Sequence, residues 1–239
     1  MSYYRQSPFA NLTPVVKNLL IINVIFYLAT WVLHRVNIDL VVPLSAFYFD
    51  SSLFKPWQVI TYMFMHDPTS LWHILFNMFA LYVFGPTLEH TMGSKRFFNF
   101  YFITGIGALL TNMLVQAIQI HSMTGAFTVT DWNSIMGSPV YEKLREIYGT
   151  PILGASGAIF GLLVAFGMLF PNVELLIMFI PIPVKAKYVV IGYVLVELFS
   201  GFGQFTGDSV AHFAHLGGAL FGFIMIKIWG LNNRDNYYN

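Results

Sequence analysis

The sequence predicts an all-α membrane protein that crosses the bilayer six times. Three observations carry this. First, 56% of the 239 residues are hydrophobic and only 10% are charged, whereas soluble domains carry about 25% charged residues. That leaves too little polar surface to cover a water-soluble globule. Second, six windows supply the roughly 20 mostly apolar residues that a helical span needs. They are 17–35, 71–91, 96–119, 153–170, 186–204 and 209–230. Third, four polar residues inside these windows, His73, Asn77, Ser156 and His215, fall at one depth.

The first window follows a polar leader, "MSYYRQSPFANLTPVVK". No small-residue cleavage site follows its apolar run from Asn18 to Leu33, so it reads as a retained span. The expected organisation is a polar cytoplasmic segment over 1–16, one membrane domain over 17–230 and a short cytoplasmic tail over 231–239. Between the first two windows, "PLSAFYFDSSLFKPWQVITYMFMHDPTS" is too rich in Phe, Tyr, Trp and Met for a free aqueous loop. Aromatic residues favour the membrane–water boundary, so residues 36–70 are expected to lie partly in the outer leaflet. Residues 120–152 are more polar. Within them "SPVYEKLREIY" predicts a short helix with Ser138 as N-cap and Pro139 at the first helical position.

With the N-terminus inside, eight Lys and Arg residues face the cytoplasm (Arg5, Lys17, Lys95, Arg96, Lys185, Lys187, Lys227, Arg234). Four face outward (Arg35, Lys55, Lys143, Arg145). This predicts that both termini are cytoplasmic. The net charge of +1 gives no field for nucleic acid, and the absence of cysteine excludes disulfides, thiolate metal sites and a cysteine nucleophile.

Polar groups in a bilayer are costly and each needs a reason. In that topology His73 and Asn77 lie in the first two turns of the second span. Ser156 lies in the first turn of the fourth, and His215 about six residues into the sixth. All four therefore sit in the outer third of the membrane. His73 and Asn77, four apart, share a helix face. Gly157 with Gly161, and Gly218 with Gly222, form small-residue seams that allow close helix approach. Packing through those seams would bring Ser156 to His215. His212 is the rival base, but His215 is spaced to lie on the Gly218 and Gly222 face.

A serine hydroxyl needs a base to become a nucleophile, and histidine is the usual one. The tetrahedral intermediate needs donors, which Asn77, His73 and the backbone at the start of the fourth span can supply. No acid is well placed as a third member, since Asp208 is seven residues from His215. A Ser–His dyad is the natural reading. Glu197, inside the fifth span, is expected to make a structural hydrogen bond, with opening of that span a weaker reading. His66, His90, His34 and His121 are expected at membrane boundaries.

"GASG" with Ser156, "HILFN" with His73 and Asn77, and "AHLGGALFG" with His215 together resemble the rhomboid family of intramembrane serine proteases. The resemblance runs from about 17 to 230. It implies a six-helix rhomboid fold that cleaves transmembrane segments of other proteins, with Ser156 as nucleophile and His215 as base. It also implies an oxyanion site of His73, Asn77 and the Ser156 backbone. Gly154 matches the family's glycine two before the serine, and Phe160 an aromatic position that packs against the base. Glu89 and Gly93, in "GPTLEHTMGSKRF", would have structural roles. Trp57–Gln58 departs from the Trp–Arg of many members, which puts a structural contact in doubt. The absence of a further span or large soluble domain resembles a bacterial form in the inner membrane.

The implied partners are transmembrane protein substrates and the lipid bilayer, with no metal, cofactor or nucleic acid. Substrate would enter beside the first loop and the fifth span. The alternative is a catalytically inactive rhomboid-like protein that binds or escorts membrane clients, although its usual sign, loss of the serine or histidine, is missing. A small transporter would predict broken helices and internal repeats, and neither is visible.

Overall fold

Apolar runs broken by Gly, Pro and polar clusters fold into nine α-helices among the described residues of a computed structural model, which are 12–176, 182–203 and 209–231. The polar end segments expected at either terminus lie largely outside these residues, as does Asp208. The helices are α1 (Pro14–His34), α2 (Val41–Leu44), α3 (Gln58–Thr61), α4 (Leu71–Met92), α5 (Ser94–Thr124), α6 (Pro139–Gly149), α7 (Ser156–Leu169), α8 (Ala186–Gly203) and α9 (Ser209–Ile228). The six expected spans correspond to α1, α4, α5, α7, α8 and α9.

Among the described residues, α1, α4 and α5 are long and apolar enough to cross a membrane by length and composition alone. The shorter α7 begins at Ser156 itself, not at 153. Its 14 residues reach about 21 Å, less than the roughly 30 Å hydrocarbon thickness. A helix this short is viable because protein surrounds it. Its glycines face Ala108 and Thr104 of α5 and the backbone of α9.

The α7–α9 crossing shows why small residues are needed. A Cβ on Gly218 would occupy the Gly157 carbonyl, and one on Gly222 would come 2.8 Å from the Gly161 Cα. The two backbones therefore touch along the seam the sequence outlines.

Non-helical backbone at membrane depth must be satisfied by protein. The segment entering α7 meets this requirement through the connection between α1 and α4, the first of the two expected on the outer side. Ala46 and Ile152 exchange backbone hydrogen bonds of 2.9 and 2.7 Å, and the Gly154 N–H donates to the Tyr62 carbonyl at 3.0 Å. Gln58, fully buried, braces that connection: its amide donates to the Val42 and Leu53 carbonyls and accepts from the Lys55 N–H. The Trp57 indole N–H donates to the Pro43 carbonyl at 2.9 Å. The departure at Trp57–Gln58 thus leaves the loop internally bonded.

The second outer connection folds onto the first. Ser138 caps α6 by accepting from the Tyr141 N–H, as its sequence predicts. Tyr148 of α6 donates its hydroxyl to Asp50 at 2.8 Å, and the Ser51 hydroxyl donates to the Tyr148 carbonyl at 2.8 Å. At the opposite end Glu89 accepts from the Val15 and Val16 N–H groups and from the Ser94 hydroxyl. One carboxylate thereby caps α1 and ties it to the turn at Gly93, where φ is +80°.

The one-turn helices α2 and α3 are absent from the sequence reading, and so is a strand pair. Glu174–Leu176 (β1) pairs antiparallel with Pro183–Lys185 (β2) between α7 and α8.

Candidate active site

Ser156 opens α7 at the end of the braced segment, and α9 carries His215 past it along the glycine seam. The result is a 2.8 Å contact between Ser156 Oγ and His215 Nε2. With the hydroxyl donating, Nε2 is the acceptor and the remaining imidazole proton is on Nδ1. The ring is held from one side by Phe160, stacked at 4.4 Å between centroids and 9° between planes. Phe160 is itself met edge-on by Tyr193 of α8.

A cavity of about 460 Å³ opens over this pair, lined by His73, Gly154, Ser156 and His215 among others. Gly154 has φ +127°, a region that L side chains rarely adopt. A Cβ there would also stand 3.1 Å from His73 Nε2. Glycine at this position therefore serves both the turn into α7 and the approach of the His73 ring.

Asn77 is placed differently from the other expected residues. It is buried, and its amide donates to the His73 carbonyl one turn back at 2.7 Å. It does not line the cavity. Asn112 of α5 does, fully buried, with neither amide atom hydrogen-bonded to protein. The sequence analysis did not single it out, because one Asn in an apolar span reads as a helix–helix contact.

His66, expected at a membrane boundary, is fully buried in protein, with its ring 5.1 Å from that of His73. Burial pushes its pKa down to about 4, reinforced by the neighbouring His73. His34, His90 and His121 are exposed.

A second correction concerns the acid. Glu197 on α8, buried, reaches both histidines of α9. One carboxylate oxygen is 2.6 Å from His212 Nδ1 and the other 3.1 Å from His215 Nδ1. The first is a short hydrogen bond. The second is close, but the His215 N–H is not aligned with the oxygen. The ligand atoms of the three residues lie within 4.8 Å of one another, a donor set of the type that holds a divalent cation. Here each carboxylate oxygen already faces an imidazole nitrogen. His212 points at Glu197, and of the two α9 histidines it is His215 that reaches Ser156.

The Rhomboid domain family model matches residues 53–231. The chain is 29% identical over 170 residues to Rhomboid protein 1, mitochondrial, of Saccharomyces cerevisiae, covering 70% of this chain and 40% of that protein. It is 29% identical over 107 residues to Rhomboid-like protease 3 of Toxoplasma gondii, covering 42% and 40%. It is 26% identical over 212 residues to Rhomboid-like protein 19 of Arabidopsis thaliana, covering 89% and 59%. The chain thus spans about 40% of the length of the yeast and Toxoplasma proteins. These relatives are eukaryotic and do not support the bacterial inner membrane expected from the sequence. With the family model spanning α3 to the end of α9, and with apolar helices built for lipid, this chain is an integral membrane protein of the rhomboid family.

Proposed function

We propose that this chain is an intramembrane serine endopeptidase that cleaves transmembrane segments of other membrane proteins. The observation that carries the reading is the 2.8 Å contact between Ser156 Oγ and His215 Nε2 at the floor of a cavity. Ser156 Oγ attacks a peptide carbonyl carbon while His215 Nε2 takes its proton. The tetrahedral oxyanion is stabilised by the Ser156 N–H at the start of α7 and by His73. Asn77 contributes by holding the first turns of α4, through its bond to the His73 carbonyl. Collapse breaks the C–N bond, and the imidazolium returns its proton to the leaving amine. Water, deprotonated by the same base, then releases the acyl group.

The substrate helix unwinds near its outer end and enters beside the first outer connection and α8. Lys and Arg placement supports cytoplasmic termini and a site that faces the opposite side. Both chemical steps are completed by side chains and backbone of this chain.

The test is cleavage of a membrane protein bearing one transmembrane segment, with a small residue before the cut and helix-breaking residues after it. Wild-type protein in vesicles is expected to produce two fragments, and Ser156→Ala none. Binding of the segment without cleavage by folded wild type would instead favour the client-escort reading.

A further inference from the structure

The Ser–His pair leaves one buried ionisable group unexplained. Glu197 comes from α8, a helix that supplies nothing else to the pair. Its side chain is only 11% exposed, and it stands at the Nδ1 edge of His215, away from the Nε2 that meets the serine. A carboxylate in such a place needs partners, and it has two, His212 Nδ1 at 2.6 Å and His215 Nδ1 at 3.1 Å.

Resting on the endopeptidase reading, we infer that Glu197 is a positioning residue for His215. Its carboxylate, anchored by His212, fixes the His215 tautomer and faces the charge that ring gains on taking the serine proton.

The geometry supports this in three ways. The serine contact uses His215 Nε2, so the ring proton resides on Nδ1, the atom nearest Glu197. Phe160 stacking fixes the ring plane but leaves the choice of tautomer open, because a stacked ring face is indifferent to which nitrogen is protonated. The carboxylate supplies that choice. The His212 hydrogen bond holds the second oxygen and so orients the first. The off-line His215 N–H is the kind of contact that tightens when substrate binds. In the step, the proton moves from Ser156 Oγ to His215 Nε2, the Nδ1 proton stays on the ring, and Glu197 remains ionised.

The groups facing His215 are Glu197 from α8, His212 from α9 and Ser156 from α7. His73 from α4 and Asp67 from the first outer connection lie across the cavity. Glu197 and Asp67 are the anionic side chains in that set, and Glu197 is the one that touches the ring.

The experiment measures kcat, KM and the pH profile of kcat for wild type, Glu197→Gln and Glu197→Asp on the transmembrane substrate. Thermal melting reports folding, and Ser156→Ala sets the blank. Glu197→Gln is expected to lower kcat on the order of 10- to 100-fold, part of the roughly 10²–10⁴-fold that a general base supplies. KM should stay within about twofold. The acidic limb of the profile should move to lower pH by about one unit, because an anion beside the imidazolium is gone. Glu197→Asp should fall between the two in kcat, with its limb where wild type has it.

Wild-type kcat in Glu197→Gln, or a loss with an unmoved limb, overturns the inference and leaves the protease reading intact. An inactive wild type at the Ser156→Ala blank overturns both. If Glu197→Gln does not fold, Glu197→Asp decides alone. It keeps the charge but withdraws the oxygens by one methylene, and unchanged kcat there contradicts the assignment.

Discussion

The α7–α9 pair and helix α8 solve opposite problems. Along α7 and α9, glycines bring two backbones into contact, and the serine and histidine are fixed by main chain. Helix α8 has no such backbone contact at Gly192, which faces open space, or at Gly201, which meets the side chains of Phe213 and His212. It reaches the site through two side chains, Tyr193 against Phe160 and Glu197 against the histidines. The difference teaches where each part of the geometry is stored. Distance between Ser156 and His215 is a property of the seam. Orientation of His215 depends on contacts that α8 can loosen without disturbing the seam.

That comparison can be broken most severely at the seam. Gly218→Leu would drive a side chain into the Gly157 carbonyl. The expected result is loss of folded protein, since overpacking costs about 1–3 kcal/mol even where side chains can yield and here the obstacle is backbone. Size-exclusion behaviour and melting in detergent check it. If Gly218→Leu melts like wild type, the seam does not set the distance.

Acid is the next largest perturbation on the fixed side. His66 is held neutral, with its pKa at about 4 against an ordinary 6.5. The unfolded chain therefore takes up a proton that the folded chain refuses. Its contribution to stability is present above pH 6.5 and is lost as pH falls towards 4, to a total of about 3 kcal/mol. Melting of wild type and His66→Gln across that window should converge as pH drops. Parallel pH slopes would contradict the assignment.

Glu89→Ala tests the anchor at the other end. Two N–H groups of α1 would lose their acceptor, at a cost of about 1–3 kcal/mol. Melting should fall while the cleavage rate of the remaining folded enzyme is retained. On α8, Gly192 has open space where a Cβ would go. Gly192→Ala should raise stability slightly, by roughly 0.5–1 kcal/mol, and its melting temperature checks the sign. A large loss there would mean that α8 packs as tightly as the seam.

Much of this architecture is legible in the sequence, for identifiable reasons. Hydropathy locates the six long segments because lipid imposes length and composition together. The seam is legible because Gly157, Gly161, Gly218 and Gly222 repeat at helical spacing. Span 153–170 is overextended at its start because Leu153, Gly154 and Ala155 are apolar or small; what holds the stretch, Ile152 to Ala46 and Gly154 to Tyr62, comes from far away in sequence. Glu197 is opaque for the same reason. Its partners lie on another helix, 15 residues away in the nearer case, and no periodic pattern connects a lone acid to them. His66 looks like a boundary histidine because apolar Met63–Met65 precede it and polar Asp67 follows, while its burial comes from folding of the outer connection. The β1–β2 hairpin is three residues a side, too short for alternation to register.

The central claim is that Ser156 is a nucleophile activated by His215. It is tested most directly by treating folded protein with a fluorophosphonate and locating the adduct by mass spectrometry. The account predicts one adduct on Ser156, lost in Ser156→Ala and in His215→Ala and formed in His212→Ala. An adduct on another residue, or labelling of Ser156 that survives His215→Ala, would contradict it.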